Sequence, residues 1–148
     1  MKSHSPLLTL RDLAQKAVEQ ATQQLGQARQ AQQAAEQQLS MLLNYQDEYR
    51  QKLNATLNHG MASASWQNYQ QFIATLEQAI GQHRQQLRQW SEKVAQATTL
   101  WQDKQQRLNA FDTLHTRALH AEQQRENKRD QKLMDEFAQR RSHRNSNP

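Results

Sequence analysis

Residues 49–73 read YRQKLNATLNHGMASASWQNYQQFI, and the middle of this stretch decides the fold. To its left Tyr49, Leu53 and Thr56 step by 4 and 3, the spacing of a helix seam. To its right Trp66, Tyr69 and Ile73 resume the same rhythm. Between them Asn58-His59-Gly60 breaks it. Asn and Gly tolerate the left-handed backbone that ends a helix. Ser63 or Ser65 is the candidate cap of the next helix. One interruption between two in-phase stripes predicts a hairpin: helix 5–57, turn 58–65, helix 66–138.

Working outward, the seam of the first helix has a d series of Leu7, Ala14, Ala21, Ala28, Ala35, Leu42, Tyr49 and Thr56. Its a series is Arg11, Val18, Leu25, Gln32, Leu39, Gln46 and Leu53. Alanine at successive d positions makes a thin face that a partner helix can approach closely. Gln32 and Gln46 at a positions set register at some cost in stability. Ser5 and Pro6 form a helix start, a cap followed by a residue that needs no N–H there. The second helix carries bulkier residues: Trp66, Ile73, Ile80, Leu87, Val94, Trp101, Leu108 and His115 at a; Tyr69, Leu76, His83, Trp90, Ala97, Lys104, Phe111 and Ala118 at d. Large side chains opposite alanines fill a seam. Gly26 and Gly81 fall at outward b positions, where the stripe passes through them in phase.

The expected fold is therefore all-α, a long two-helix antiparallel coiled coil within a single hairpin of residues 1–140. If the chain folds back near Gly60, facing residues have numbers totalling about 121, and the paired part is about 75 Å long. Pairing should run out near Leu114. Beyond Ala118 the same series read Glu122, Arg125, Arg129 and Lys132, so the second helix should extend past the first. Leu133, Met134, Phe137 and Ala138 share one face of that extension and have no partner within the hairpin. Residues 139–148 are basic and polar, and are expected to form a flexible tail.

Composition agrees with a narrow seam. Of 148 residues, 28 are glutamine, hydrophobic residues make up 35%, and glycine and proline number only 3 and 2. Mean hydropathy is −1.14, too polar for a thick core but suited to paired helices. The net charge of +5 permits acidic partners. Arg84, Arg88, Lys93 and Arg107 make the second helix basic, yet Glu77, Glu92 and Asp103 interrupt any stripe, and nucleic-acid platforms interleave aromatic with basic residues. Nucleic-acid binding is thus the disfavoured reading. Cysteine is absent, which excludes disulfide and thiolate chemistry. The first residues, MKSHSPLLTL, hold no apolar run of signal-peptide length, and no stretch reaches membrane-span length. A cytoplasmic protein is expected.

Catalytic chemistry finds no footing. There is no glycine-rich phosphate loop. His115 and His120 are five apart, off a shared helix face. A solid rod offers no cleft to exclude water. Neither cofactor nor metal is expected. The informative departures are Tyr45 and Phe72, which fall at g, beside the seam. In an antiparallel pair the g positions flank each other. The hairpin then collects Gln38, Leu42, Tyr45, Tyr49, Phe72, Leu76, Ala79 and His83 on one side near the turn. Clustered aromatics on a polar rod mark protein contact; alternatively Tyr45 and Phe72 fold over the seam and broaden a thin core. The region from Leu7 to Val18, with Arg11 and Lys16, lies beside the start of the extension and makes a second, distal surface.

Four stretches carry a family resemblance: LLTLRDLAQKAVEQA at 7–21, AAEQQLSMLLNYQDEYRQKLN at 34–54, SWQNYQQFIATLEQAIGQHRQQL at 65–87 and RENKRDQKLMDEFAQR at 125–140. With the length, the basic character and the single hairpin, the chain resembles the FliJ family, coiled-coil stalk proteins of the flagellar type III export ATPase complex. The resemblance covers almost the whole chain. It implies a fold similar to the coiled-coil part of the rotary ATPase gamma subunit, and no enzyme activity beyond stimulating a partner's ATPase. It implies that the end carrying both termini faces the hexameric export ATPase ring, with Leu10, Arg11, Leu13, Leu133, Met134 and Phe137 as contacts. The surface that family members present to the cytoplasmic domain of the large export-gate protein maps onto Gln38, Leu42, Tyr45, Tyr49, Phe72, Leu76, Ala79 and His83. Escort chaperones of filament-associated substrates are further implied partners, and the implied location is the cytoplasmic side of the inner membrane at the flagellar base. The alternative is a pure chaperone-type adaptor for export substrates or their escorts.

Overall fold

The first helix, α1, spans Pro6–Leu57, 52 residues, and the second, α2, spans Ser63–Asn145, 83 residues. They form an antiparallel coiled-coil hairpin with the second helix the longer. This is a computed structural model, describing residues 6–145. Pro6 stands at the start of α1, where its missing N–H costs nothing; the expected cap, Ser5, lies outside the described residues. Glutamine, alanine, leucine and charged residues of high helix propensity carry both helices.

Asn58 N–H donates to Asn54 O at 3.2 Å, His59 N–H to Thr56 O at 3.1 Å and Gly60 N–H to Leu57 O at 3.2 Å. The last carbonyls of α1 are thereby satisfied as the helix tightens and stops. Gly60 has φ 84°, a conformation that disfavours any residue with a side chain. The turn is shorter than the sequence suggested. The α2 helix begins at Ser63 rather than Trp66, because Trp66 N–H already donates to Ala62 O at 3.1 Å. Ala62 therefore occupies the capping position expected of Ser63 or Ser65. At the other end α2 runs on through Asn145 rather than stopping at Ala138. Residues 139–145 lack an apolar stripe but not helix propensity, and His143 and Arg144 in the last turn suit the negative end of the helix dipole. Residues 146–148 of the expected tail lie outside the described residues.

The packing falls into two units. In Glu19–Asp103 the buried apolar residues are Ala21, Leu25, Ala28, Ala35, Leu53, Leu76 and Ile80. Trp101 Nε1–H donates to Thr22 Oγ1 and Gln32 Nε2–H donates to Ser91 Oγ, both at 3.1 Å. Gln32 thus finds a cross-helix partner from its half-buried a position, as a register-setting residue must. In the other unit, the described residues through Val18 and from Lys104 onward, Ala14, Val18 and Leu108 form a small core with Phe111 against it. Arg11 Nε–H donates to the Asp112 carboxylate across the helices. Every buried apolar residue in both units comes from the predicted a and d series.

The register agrees with the fold-back. These cross-helix bonds, Arg11 to Asp112, Trp101 to Thr22 and Gln32 to Ser91, each join residues whose numbers total 123. On the other flank Tyr49 faces Phe72, with ring centroids 4.4 Å apart and a total of 121. Gly26 and Gly81 lie within helices, and a methyl group added at either meets nothing within 4 Å.

Candidate docking surfaces

Four rings meet near the turn. On α1 a spacing of i, i+4 puts Tyr45 above Tyr49, centroids 6.4 Å apart and nearly parallel at 28°. On α2 Tyr69 and Phe72 are i, i+3. Tyr49 packs on Tyr69 at 5.0 Å and on Phe72 at 4.4 Å, and Tyr45 meets Phe72 edge-on at 5.9 Å and 66°. These spacings are those of favourable aromatic pairs. Tyr49 is the hub, and its hydroxyl is held above its ordinary value, mainly by burial and further by the phenols of Tyr69 and Tyr45.

The strip is divided between seam and surface. Tyr49 and Phe72 are half-buried and thicken the seam, whereas Tyr45 stands 48% exposed. Leu76 is buried, Leu42 and Ala79 are half-buried, and Gln38 is exposed. Next to Tyr45 a shallow groove of about 350 Å³ is lined by Gln38, Met41, Leu42, Tyr45 and His83. The Nδ1 of His83 is inaccessible and lacks a hydrogen-bond partner among the described residues. A polar atom in that state costs free energy until a partner satisfies it. The eight strip residues therefore share one unit, and the groove and the ring contacts bring Gln38, Leu42, Tyr45, Tyr49, Phe72 and His83 together.

Two contributors escaped the sequence reading of the strip. Tyr69 was read as seam alone, yet its ring joins the cluster through Tyr49. Met41, 71% exposed, sits on the groove edge from an outward heptad position. A large apolar residue at such a position is itself a signal, because the seam does not require it.

The second predicted set divides. Leu10 and Leu13, 45% and 57% exposed, line a groove of about 280 Å³ with Ala14, Ala17, Arg107 and Phe111. Arg11 stands beside it, tied to Asp112 and within 3.6 Å of Asp12. The Asp112 hydrogen bond, then its charge, holds the Arg11 guanidinium above its ordinary pKa. Leu133, Met134 and Phe137 are 62%, 73% and 68% exposed. At 1.5 Å rise per residue along α2, Leu133 is about 33 Å beyond Phe111. Leu10 and Leu13 therefore do not form one continuous patch with Leu133, Met134 and Phe137.

Among the described residues no group of three His, Cys, Asp or Glu is placed to hold a metal ion, and no helix is long and apolar enough to cross a membrane. A helical hairpin with a polar exterior and localised apolar grooves defines a class: helical adaptors, which act by holding other proteins. The particular family follows from comparison with known proteins. The family described as "Flagellar FliJ protein" matches residues 2–147, and the chain belongs to it. It is 54% identical over 140 residues to the flagellar FliJ protein of Escherichia coli (strain K12), covering 95% of each chain. It is 53% identical to that of Salmonella typhi over the same length and coverage. The flagellar FliJ protein of Buchnera aphidicola subsp. Acyrthosiphon pisum (strain APS) is 25% identical over 112 residues, covering 76% of this chain and 77% of the relative. The chain is accordingly a non-enzymatic adaptor of flagellar protein export. Its family associates in general with export ATPase and export-gate proteins.

Proposed function

We propose that this chain couples the hexameric flagellar export ATPase to the cytoplasmic domain of the large export-gate protein. The aromatic strip and groove around Tyr45 take the gate domain. The groove at Leu10 and Leu13, with Arg11, and the exposed face at Leu133, Met134 and Phe137 take the ATPase ring as two separate contacts. The protein then works in the cytoplasm, peripheral to the inner membrane at the flagellar base. The observation that carries the gate assignment is the pairing of an exposed tyrosine with a groove that holds an inaccessible side-chain nitrogen, His83 Nδ1, without a hydrogen-bond partner among the described residues. Aromatic anchors in such settings dominate binding energy.

The test is a pull-down of the purified gate domain by the Tyr45→Ala, Phe72→Ala double variant. Binding falls by about tenfold or more, while circular dichroism keeps its helical signal. Wild-type affinity in the folded variant removes the assignment. A second reading, a chaperone-type adaptor that holds export substrates or their escort chaperones, uses the same strip. It is favoured if the variant loses escort binding and keeps the gate.

A further inference from the structure

Lys52 and Glu77 bracket a run, Leu53 to Leu76, without a single Asp, Glu, Lys or Arg. At the chain's 22% charged content, one such residue is expected roughly every five positions. The run builds the turn end of the Glu19–Asp103 unit: the last helical residues of α1, the Gly60 turn and the first turns of α2. It is also apolar on its outside. Leu57 is 43% exposed, Trp66 is 36% exposed and Met61 is half-buried. Trp66 stands at a seam position, yet more than a third of its surface stays open, and the seam does not explain why charge is missing from the outward positions of the run. None of these three side chains belongs to the strip assigned above.

We propose that this turn end is the charge-free core of the gate-binding surface, inserted into an apolar, uncharged pocket of the same partner protein. The inference rests on the gate reading of the strip and extends it. Continuity supports it: Trp66, Tyr69 and Phe72 follow one another at i, i+3 along α2, and Tyr69 and Phe72 both pack on Tyr49. Composition supports it as well. Interface cores are depleted in charge and rich in Trp, Tyr, Phe and Met, with charges at the rim. Here Arg50 and Glu77, 3.9 Å apart and both exposed, stand at the border of the run. Size points the same way. A stable interface uses about 20–30 residues on each side, more than the strip supplies alone. A lipid surface is the weaker occupant, because anionic membranes attract Lys and Arg, and the run has none.

The experiment measures affinity of the full-length chain for the purified gate domain. Trp66→Ser removes the proposed anchor. Ser63→Glu puts a carboxylate into the charge-free surface at the first turn of α2, where a negative charge favours the helix. Its melting temperature is held or raised, so lost binding is not lost folding. Both variants should bind the gate domain about tenfold more weakly or worse, whereas Leu100→Ser, an equally exposed apolar truncation elsewhere, should not. Wild-type binding by both variants alongside loss in Tyr45→Ala overturns this inference and leaves the strip standing. Wild-type binding by all three removes the gate reading too. Equal weakening by Leu100→Ser overturns the inference as non-specific. If Trp66→Ser keeps gate binding and instead abolishes co-sedimentation with phosphatidylcholine vesicles, the turn end faces lipid and the proposal fails.

Discussion

Under the proposed gate reading, His83 serves binding at the expense of stability. It occupies a d position, where the seam calls for an apolar residue, and is half-buried with Nδ1 out of reach of solvent and of any partner among the described residues. Leucine at the same position would carry no such atom. An unsatisfied buried polar group costs about 1–3 kcal/mol. His83→Leu should therefore raise the unfolding free energy of the free chain by about 1 kcal/mol, read as a higher urea midpoint with an unchanged slope. The same change should weaken the gate complex if the partner supplies the missing hydrogen bond. A less stable His83→Leu chain would mean that the atom is satisfied in solution. The oddity of His83 at d was legible in the sequence, but the isolation of one ring nitrogen was not. That depends on which way the ring turns against Gln38 and Tyr45, and heptad spacing does not fix a rotamer.

At the scale of the helices, periodicity carried nearly everything that concerns the seam. Ala14, Ala21, Ala28 and Ala35 are all buried, as a d series must be when one helix approaches another closely. Boundaries were less legible. The stripe marks where two helices pack, whereas a helix begins and ends where backbone hydrogen bonds do. Hence α2 starts at Ser63, before the first seam residue, and continues through Arg140 and Arg141, where no seam remains. Gly26 and Gly81 illustrate the same separation of packing from propensity. Each lies within a helix and faces open space, so an added methyl group meets no obstacle and the unfolded chain loses freedom. Gly26→Ala and Gly81→Ala should each stabilise by about 0.5–1 kcal/mol. Thermal melts of the single and double variants check this, and the effects should add because the sites share no contact. A loss of stability at either would show that the glycine serves a bend.

At the scale of the whole chain, burial and helicity part company. Every described residue from Thr116 to Asn145 is exposed, although all are helical. A lone helix of this length is marginal in water, chiefly because its first turn is costly to nucleate. Here that cost falls away, since α2 enters the segment already wound from the packed part around Leu108. The segment still exposes Leu119, Leu133, Met134 and Phe137, an excess of apolar surface that the proposed ring contact would cover. The sequence could place these residues on the extension, but not show that the extension stays helical through its basic end. Deleting residues 119–148 removes no core residue. The melting transition of the remainder should then move by less than about 1 kcal/mol equivalent, while ellipticity falls in proportion to the helix removed. Stimulation of the purified export ATPase should be lost in the same variant. A truncated chain that still stimulates it would confine the ring contact to the groove at Leu10 and Leu13. A truncated chain that unfolds would mean that the extension packs on the rest of the molecule.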